Sequence, residues 1–101
     1  MQIFIFRTLI FFIMKSKIEL FVIDRVRKLR YEEKMSQAKL ADLLGVTKAF
    51  VGNVENENRE EKYNLNHINE LAVIFNCSVK SFFPDEPFDD NREQPVSDVN
   101  L

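Results

Sequence analysis

The stretch SQAKLADLLGVTKAFVGNVEN, residues 36–56, predicts two short helices separated by a tight turn. Ser36 is a favourable N-cap for the first helix, because its hydroxyl accepts a hydrogen bond from a free backbone N–H of the first turn. Gly45 stands where a helix ends in a left-handed residue, a conformation that glycine adopts at little steric cost. Thr47 is a second favourable N-cap, so a new helix is expected to begin directly after the turn.

The second helix of this pair, expected over residues 47–55, has an inner and an outer side. Val51 and Val54 recur at helical spacing and are expected to pack inward. The outer side carries a mixed set of small, polar and aromatic residues: Lys48, Ala49, Phe50 and Asn53. This arrangement, so soon after a tight turn, raises the question of which molecule the outer side contacts.

Apolar periodicity predicts three more helices around this pair. A first helix over about residues 18–33 is marked by Ile18, Val22, Val26 and Leu29. A fourth is marked by apolar residues at i, i+3 and i+4 spacing: Leu65, Ile68, Leu71, Ala72 and Phe75. Ser78 is expected to cap a short fifth helix that ends at Phe82 and Phe83. The prediction is a compact all-α domain of five helices over residues 15–83.

The composition of the chain excludes several classes of function. The single cysteine, Cys77, cannot form an internal disulfide, so nothing indicates an oxidising compartment. One Cys and one His leave no Cys/His metal cluster, and the Ser, Asp and Glu residues form no recognisable catalytic set. We therefore expect a cytoplasmic protein that is not an enzyme and has no metal or other cofactor and no small-molecule substrate.

Both ends of the chain differ in composition from the domain. Residues 1–14 are nearly all apolar, but a membrane span needs about 20 such residues. Our preferred interpretation is that translation begins naturally at Met14 and that residues 1–13 are not native. A peripheral membrane contact or an added packing element is the alternative. Residues 84–101 hold six acidic residues, one arginine and few apolar residues, which predicts a disordered acidic tail.

The distribution of charge is more informative than the net charge of -2. Because residues 84–101 are strongly acidic, residues 14–83 carry a small excess of positive charge. A mildly basic domain permits nucleic-acid binding but is weak evidence for it.

The stretch from Val26 to Phe83 resembles the phage-repressor and Cro class of helix-turn-helix DNA-binding domains, the XRE family. The matching pieces are VRKLRYEEKMSQAKLADLLGVTKAFVGNVEN and LNHINELAVIFNCSVKSFF, in the order of the family and near its spacing. The resemblance implies a repressor-type fold and binding to double-stranded DNA as a transcriptional regulator. The second helix of the helix-turn-helix pair would then enter the major groove, with its N-terminal residues on base edges.

The resemblance also implies roles for individual residues. Base-reading residues would be Lys48, Ala49 and Asn53. Contacts along the DNA backbone would come from Gln37, Thr47, Phe50, Arg59 and Lys62. Arg30 and Glu55 resemble a pair that ties the first helix to the end of the third, and their expected role is structural.

A homodimer is also expected, because two half-sites raise affinity. Its surface is placed around the fifth helix at Val79, Phe82 and Phe83, or else these residues complete the core.

Several residues depart from the family pattern. Glu57, Glu60 and Glu61 make the loop after the third helix acidic, and Gly52 lies inside that helix, where it costs about 1 kcal/mol relative to alanine. These departures keep a second interpretation open, in which the fold is a protein-interaction module, such as an antitoxin-like partner binder with weak DNA affinity. A third interpretation, regulation at a membrane through the apolar extension, is the weakest.

Overall fold

A computed structural model describes residues 15–89 of the chain. These residues form four α-helices followed by a short 3-10 helix. The α-helices are α1 Lys17–Glu32, α2 Gln37–Leu44, α3 Lys48–Val54 and α4 Leu65–Phe75, and the 3-10 helix is Val79–Phe82. The predicted apolar extension, residues 1–14, and the part of the predicted tail beyond residue 89 lie outside the described residues.

Side-chain caps set where the helices begin, as the sequence predicts. The side chains of Ser36 and Thr47 accept hydrogen bonds from the backbone N–H groups three residues later, at the starts of α2 and α3. Helices α2 and α4 end at residues in the left-handed conformation. Gly45 has φ +78° after α2, and Asn76 has φ +53° after α4. These ends are the ones expected from glycine and asparagine.

The expected fifth α-helix is wrong in type, because the chain forms a single 3-10 turn there. The Ser78 hydroxyl accepts from Lys80 N–H, and Ser81 N–H donates to the Ser78 carbonyl at 2.9 Å, the i to i+3 bond of a 3-10 helix. Pro84 follows two residues after the last turn and disfavours the helical conformation for the residue before it. The segment therefore forms only a four-residue 3-10 helix, Val79–Phe82.

One hydrophobic core holds the helices together. Its buried apolar residues come from every helix and from the loop before α4: Val22, Ile23, Val26, Leu40, Ala41, Val51, Val54, Tyr63, Ile68, Leu71, Ala72 and Phe82. Phe82 is fully buried and completes the core, Phe83 is half-buried, and Val79 remains exposed. Of the three residues considered for a dimer surface, Phe82 is therefore unavailable in this fold.

The first residues of the predicted acidic tail lie against the domain. Phe88 is half-buried, and its ring centroid lies 6.1 Å from that of Phe21 on α1. The packed part of the chain therefore extends at least to Phe88, beyond the boundary at residue 83 that composition predicts.

Candidate nucleic-acid interface

The turn between α2 and α3 is fixed by backbone hydrogen bonds. Gly45 N–H donates to the Asp42 carbonyl, and Val46 N–H donates to the Ala41 carbonyl at 3.0 Å. Thr47 then begins α3, its hydroxyl accepting from Phe50 N–H at 3.0 Å. The last turn of α2 and the first turn of α3 are thus held in one geometry, which places α3 at a defined angle to α2.

The first turn of α3 is open, whereas its inner face is fully packed. Lys48 and Ala49 are exposed. Val51 and Val54 are 0% and 1% exposed, so the helix is held from its inner side. Two of the three predicted base-reading residues therefore face outward from a rigidly placed helix.

Asn53, the third predicted base reader, is half-buried and already has a partner. Its Nδ2 donates to Glu61 Oε2 at 3.0 Å. Glu61 Oε1 lies 3.6 Å from Arg59 Nε, an ion pair longer than a hydrogen bond. Backbone and side-chain hydrogen bonds, the first from its own N–H, lower the pKa of the Glu61 carboxyl, so it is ionised near neutral pH. One carboxylate thus bridges a predicted base reader and a predicted backbone contact.

Lys62, predicted to lie along the DNA backbone, forms an ion pair with α1. Its Nζ is 2.8 Å from Glu19 Oε2. Burial favours a raised pKa for Glu19, but hydrogen bonds from Lys62 and from the Ser16 N–H outweigh it and lower the pKa. The side chain of Lys62 is 45% exposed, so its charge is partly neutralised but accessible.

Gln37 joins a buried polar network between α1, α2 and the end of α3. Arg30 Nε and Nη2 donate to the two Glu55 oxygens at 2.9 and 2.7 Å, a bidentate pair that raises the pKa of Arg30. Gln37 Nε2 donates to Glu55 Oε1 at 3.0 Å, and Arg30 Nη1 donates to the Met35 carbonyl at 2.7 Å. The Arg30–Glu55 pair inferred from the family resemblance is present, and Gln37 extends it.

Thr47 and Phe50, the other predicted backbone contacts, differ in accessibility. Thr47 is exposed beside the first turn of α3. The Phe50 ring is half-buried in an aromatic cluster, with centroids 5.2 Å from His67 and 6.2 Å from Tyr63. The aromatic ring of Phe50 therefore helps to join α3 to α4, and only part of it is available to a ligand.

The sequence predicts no role for Lys15, whose side chain is buried against the C-terminal end of α3. Lys15 is 7% exposed, and its ammonium group donates to the carbonyls of Asn53, Asn56 and Arg59 at 3.3, 2.6 and 2.7 Å. Burial lowers the pKa of Lys15, and the charges of Glu61 and Glu19 oppose that shift. The sequence offers no signal for this contact, because the partners are backbone carbonyls about 40 residues away.

Residues 15–89 contain neither a membrane-spanning helix nor a metal-binding cluster. None of the helices in this range is long and apolar enough to cross a membrane. The range also contains no group of three or more His, Cys, Asp or Glu residues placed to hold a metal ion.

Comparison with known families decides the class of this site. A family model described as the Cro/C1-type HTH DNA-binding domain matches residues 25–87. The chain belongs to this family. The resemblance drawn from the sequence is thereby confirmed, and the α2–turn–α3 unit is the helix-turn-helix of a Cro/C1-type domain.

Solved structures support the same assignment. The restriction-modification controller protein C.AhdI from Aeromonas hydrophila is 32% identical, with a TM-score of 0.53 over 63% of this chain and 96% of that protein. Hydroxypropylphosphonic acid epoxidase from S. wedmorenis matches with a TM-score of 0.61 at 24% identity, which shows the fold alone. This chain spans only 44% of that enzyme, so the match does not indicate an epoxidase. A search of curated protein sequences gave no significant match.

Proposed function

We propose that this Cro/C1-type domain is a sequence-specific transcriptional regulator of the repressor type, which inserts α3 into the major groove of double-stranded DNA. The observation that supports it best is the exposed first turn of α3 on a helix whose inner face is fully buried. The major groove, about 12 Å wide, admits one α-helix. The likeness to a restriction-modification controller protein favours the same regulatory role.

The proposed readers differ in chemistry. The Lys48 ammonium donates to guanine O6 and N7, and the Ala49 methyl contacts a thymine methyl. Asn53 pairs with the edge of adenine, the base that an amide recognises through both its donor and its acceptor. Since Lys48 and Ala49 are exposed, they are available to DNA without any rearrangement.

The proposed backbone contacts surround these readers. Thr47 is exposed, and the Arg59 side chain is 55% exposed, so both are accessible to phosphates. Gln37, Phe50 and Lys62 already have partners in the domain, so each would share or exchange that partner on binding. Two domains on two half-sites would add their contacts, which favours a homodimer on DNA.

The proposal is tested by selecting genome fragments with the full-length chain and with the double variant Lys48→Ala/Asn53→Ala. A matched control, Lys80→Ala/Asn66→Ala, removes the same residue types from exposed positions on the 3-10 helix and α4. The expected result is a short enriched motif that the control keeps and the double variant loses. Failure of the folded wild-type chain to enrich any motif at low salt would contradict the proposal.

A protein-interaction module is the second candidate. Four of the eight proposed DNA contacts have carboxylate partners within the domain: Gln37, Asn53, Arg59 and Lys62. For Arg59 and Lys62 this pairing weakens the positive field facing DNA. Salt dependence separates the two functions. A DNA reader loses affinity with a slope of about -0.9 in log K against log salt for each phosphate neutralised. A shallow slope, or no DNA binding, would favour a protein partner such as a toxin.

A further inference from the structure

Glu61 contacts Asn53, one of the three proposed base-reading residues, although it belongs to the loop after α3. Its Oε2 accepts from Asn53 Nδ2 at 3.0 Å, and its Oε1 lies 3.6 Å from Arg59 Nε. The side chain is 27% exposed, but its Oε1 is buried and has no hydrogen-bond partner among the described residues. No role in DNA recognition follows from the family resemblance for this acidic residue.

The contact with Glu61 changes which hydrogen-bonding groups of Asn53 remain available to a base. A free amide has two N–H donors and one carbonyl acceptor. With one N–H directed at the carboxylate, Asn53 keeps its Oδ1 and a single N–H. Because Glu61 Oε1 is buried beside Arg59, the acceptor that this contact leaves for a base is Asn53 Oδ1.

The bases differ in how well their major-groove edges match the groups that remain on Asn53. Adenine N6 and cytosine N4 are amino donors in the major groove, whereas guanine presents two acceptors there, O6 and N7. An Asn53 amide whose orientation is fixed by Glu61 can accept from an amino group through Oδ1, and the same oxygen repels the two acceptors of the guanine edge.

We propose that Glu61 is a specificity-determining residue of the DNA site: it fixes the Asn53 amide and makes α3 require an amino-bearing base, adenine or cytosine, at the position facing Asn53, and reject guanine. This inference rests on the proposed function. It also gives the acidic loop a function: the loop weakens binding to all DNA but improves discrimination between bases.

The neighbouring Glu60 provides a matched control. It is exposed and lies in the same loop, so Glu60→Gln removes the same charge without altering the contact with Asn53. Both glutamine variants are expected to bind all DNA somewhat more tightly. Glu61→Gln alone is expected to change base preference, since a glutamine amide can either accept from or donate to the Asn53 amide and therefore no longer fixes its orientation. Glu61→Asp keeps the charge but shortens the reach by one methylene, and is expected to relax the preference as well.

The test is selection from randomised double-stranded DNA with the full-length wild type, Glu61→Gln, Glu61→Asp, Glu60→Gln and Asn53→Ala, at one fixed salt concentration. Thermal unfolding of each variant verifies that it is folded. For the wild type, one position in each half-site is expected to disfavour guanine by about tenfold, within the range of one good base contact. Both Glu61 variants are expected to lose most of this discrimination, as is Asn53→Ala, while Glu60→Gln retains it.

The outcomes separate the two levels of the proposal. A wild-type motif that remains unchanged in both folded Glu61 variants would overturn the role of Glu61 and leave the DNA-binding function intact. Equal shifts in Glu61→Gln and Glu60→Gln would also overturn it, because they would mean that only net charge matters. No enriched motif with the folded wild type would overturn the proposed function and this inference together.

Discussion

The two ends of α3 differ in how their residues are held. At the N-terminal end, Lys48 and Ala49 are exposed to solvent. At the C-terminal end, Asn53 and its neighbour Glu55 contact four other segments, through Glu61, Arg30 and Gln37 and through the buried ammonium group of Lys15. The N-terminal end is thus open to DNA without rearrangement. The contacts of the C-terminal end, which carries the third proposed base reader, fix the position of the helix.

This difference has a physical origin in the length of α3. A helix of seven residues is about 10 Å long and is not stable alone. Its direction must therefore come from tertiary contacts, and those contacts are concentrated at the end farther from the proposed base readers of the first turn. Substitutions at the C-terminal end are expected to alter stability first, whereas substitutions in the first turn are expected to alter binding alone.

The largest effect is expected from Glu55→Gln. The Arg30 and Glu55 side chains are only 7% and 5% exposed, so the variant leaves a buried guanidinium without a counter-charge. Removal of one partner from such a pair costs about 3–5 kcal/mol. The free energy of unfolding, measured by urea denaturation, is expected to fall by about that amount.

A surface ion pair provides the control for this variant. Asp24 pairs with Arg27 at 3.5 Å, and its side chain is 77% exposed, so Asp24→Asn is expected to cost less than about 1 kcal/mol. Equal losses in the two variants would show that the buried pair does not hold α3 more strongly than a surface contact does.

The next effect is expected from Lys15→Met, which keeps an unbranched side chain, one atom shorter, but removes its three donors. Loss of charge-assisted hydrogen bonds to the carbonyls of Asn53, Asn56 and Arg59 is expected to cost about 2 kcal/mol. Amide hydrogen exchange in residues 53–59 is expected to accelerate more than exchange in α2. The exposed Lys28 on α1 provides the control, since Lys28→Met is expected to leave both measurements nearly unchanged. Uniform acceleration throughout the domain would contradict a local role for Lys15.

The features that the sequence predicts correctly are those with local causes. The capping residues Ser36 and Thr47 and the left-handed Gly45 act on their own segments, so each could be identified from a few neighbouring residues. The inward positions Val51 and Val54 follow from helical periodicity. The Arg30–Glu55 pair spans 25 residues and was accessible only through the family resemblance.

The features that the sequence missed depend on long-range polar contacts. Lys15 reaches backbone carbonyls, which every residue possesses, so no side-chain pattern identifies its partners. The contact between Asn53 and Glu61 depends on how the loop after α3 folds back, which periodicity does not describe. The prediction of a fifth α-helix was wrong for a local reason: the four residues before the Phe83–Pro84 pair form only a 3-10 turn.

A smaller effect of opposite sign is expected from Gly52→Ala. Glycine in a helix costs about 1 kcal/mol relative to alanine. A Cβ at position 52 would lie 3.4 Å from Gln37 Oε1, an ordinary contact, so the stability is expected to rise by up to about 1 kcal/mol. Urea denaturation measures the gain. A loss of stability would show that the Gln37 side chain cannot accommodate the methyl group. Measurements of DNA binding by the same variant would show whether the absence of a side chain at position 52 also lets DNA approach α3 closely.

The smallest effect is expected from Tyr63→Phe, beside the held end of α3. Tyr63 is 7% exposed, and its hydroxyl has no hydrogen-bond partner among the described residues, while burial and the charge of Glu55 raise its pKa. Because a buried unsatisfied hydroxyl is costly, its removal is expected to leave stability unchanged or raise it by up to about 0.5–1 kcal/mol. Tyr31, 63% exposed, gives the comparison: its ring lies 4.7 Å from the Arg30 guanidinium, a contact that Tyr31→Phe keeps, so the urea midpoint is expected to change little. A clear loss in Tyr63→Phe alone would mean that the hydroxyl belongs to the polar network around Arg30 and Glu55, and that this network holds α3 through one more group than the hydrogen bonds show.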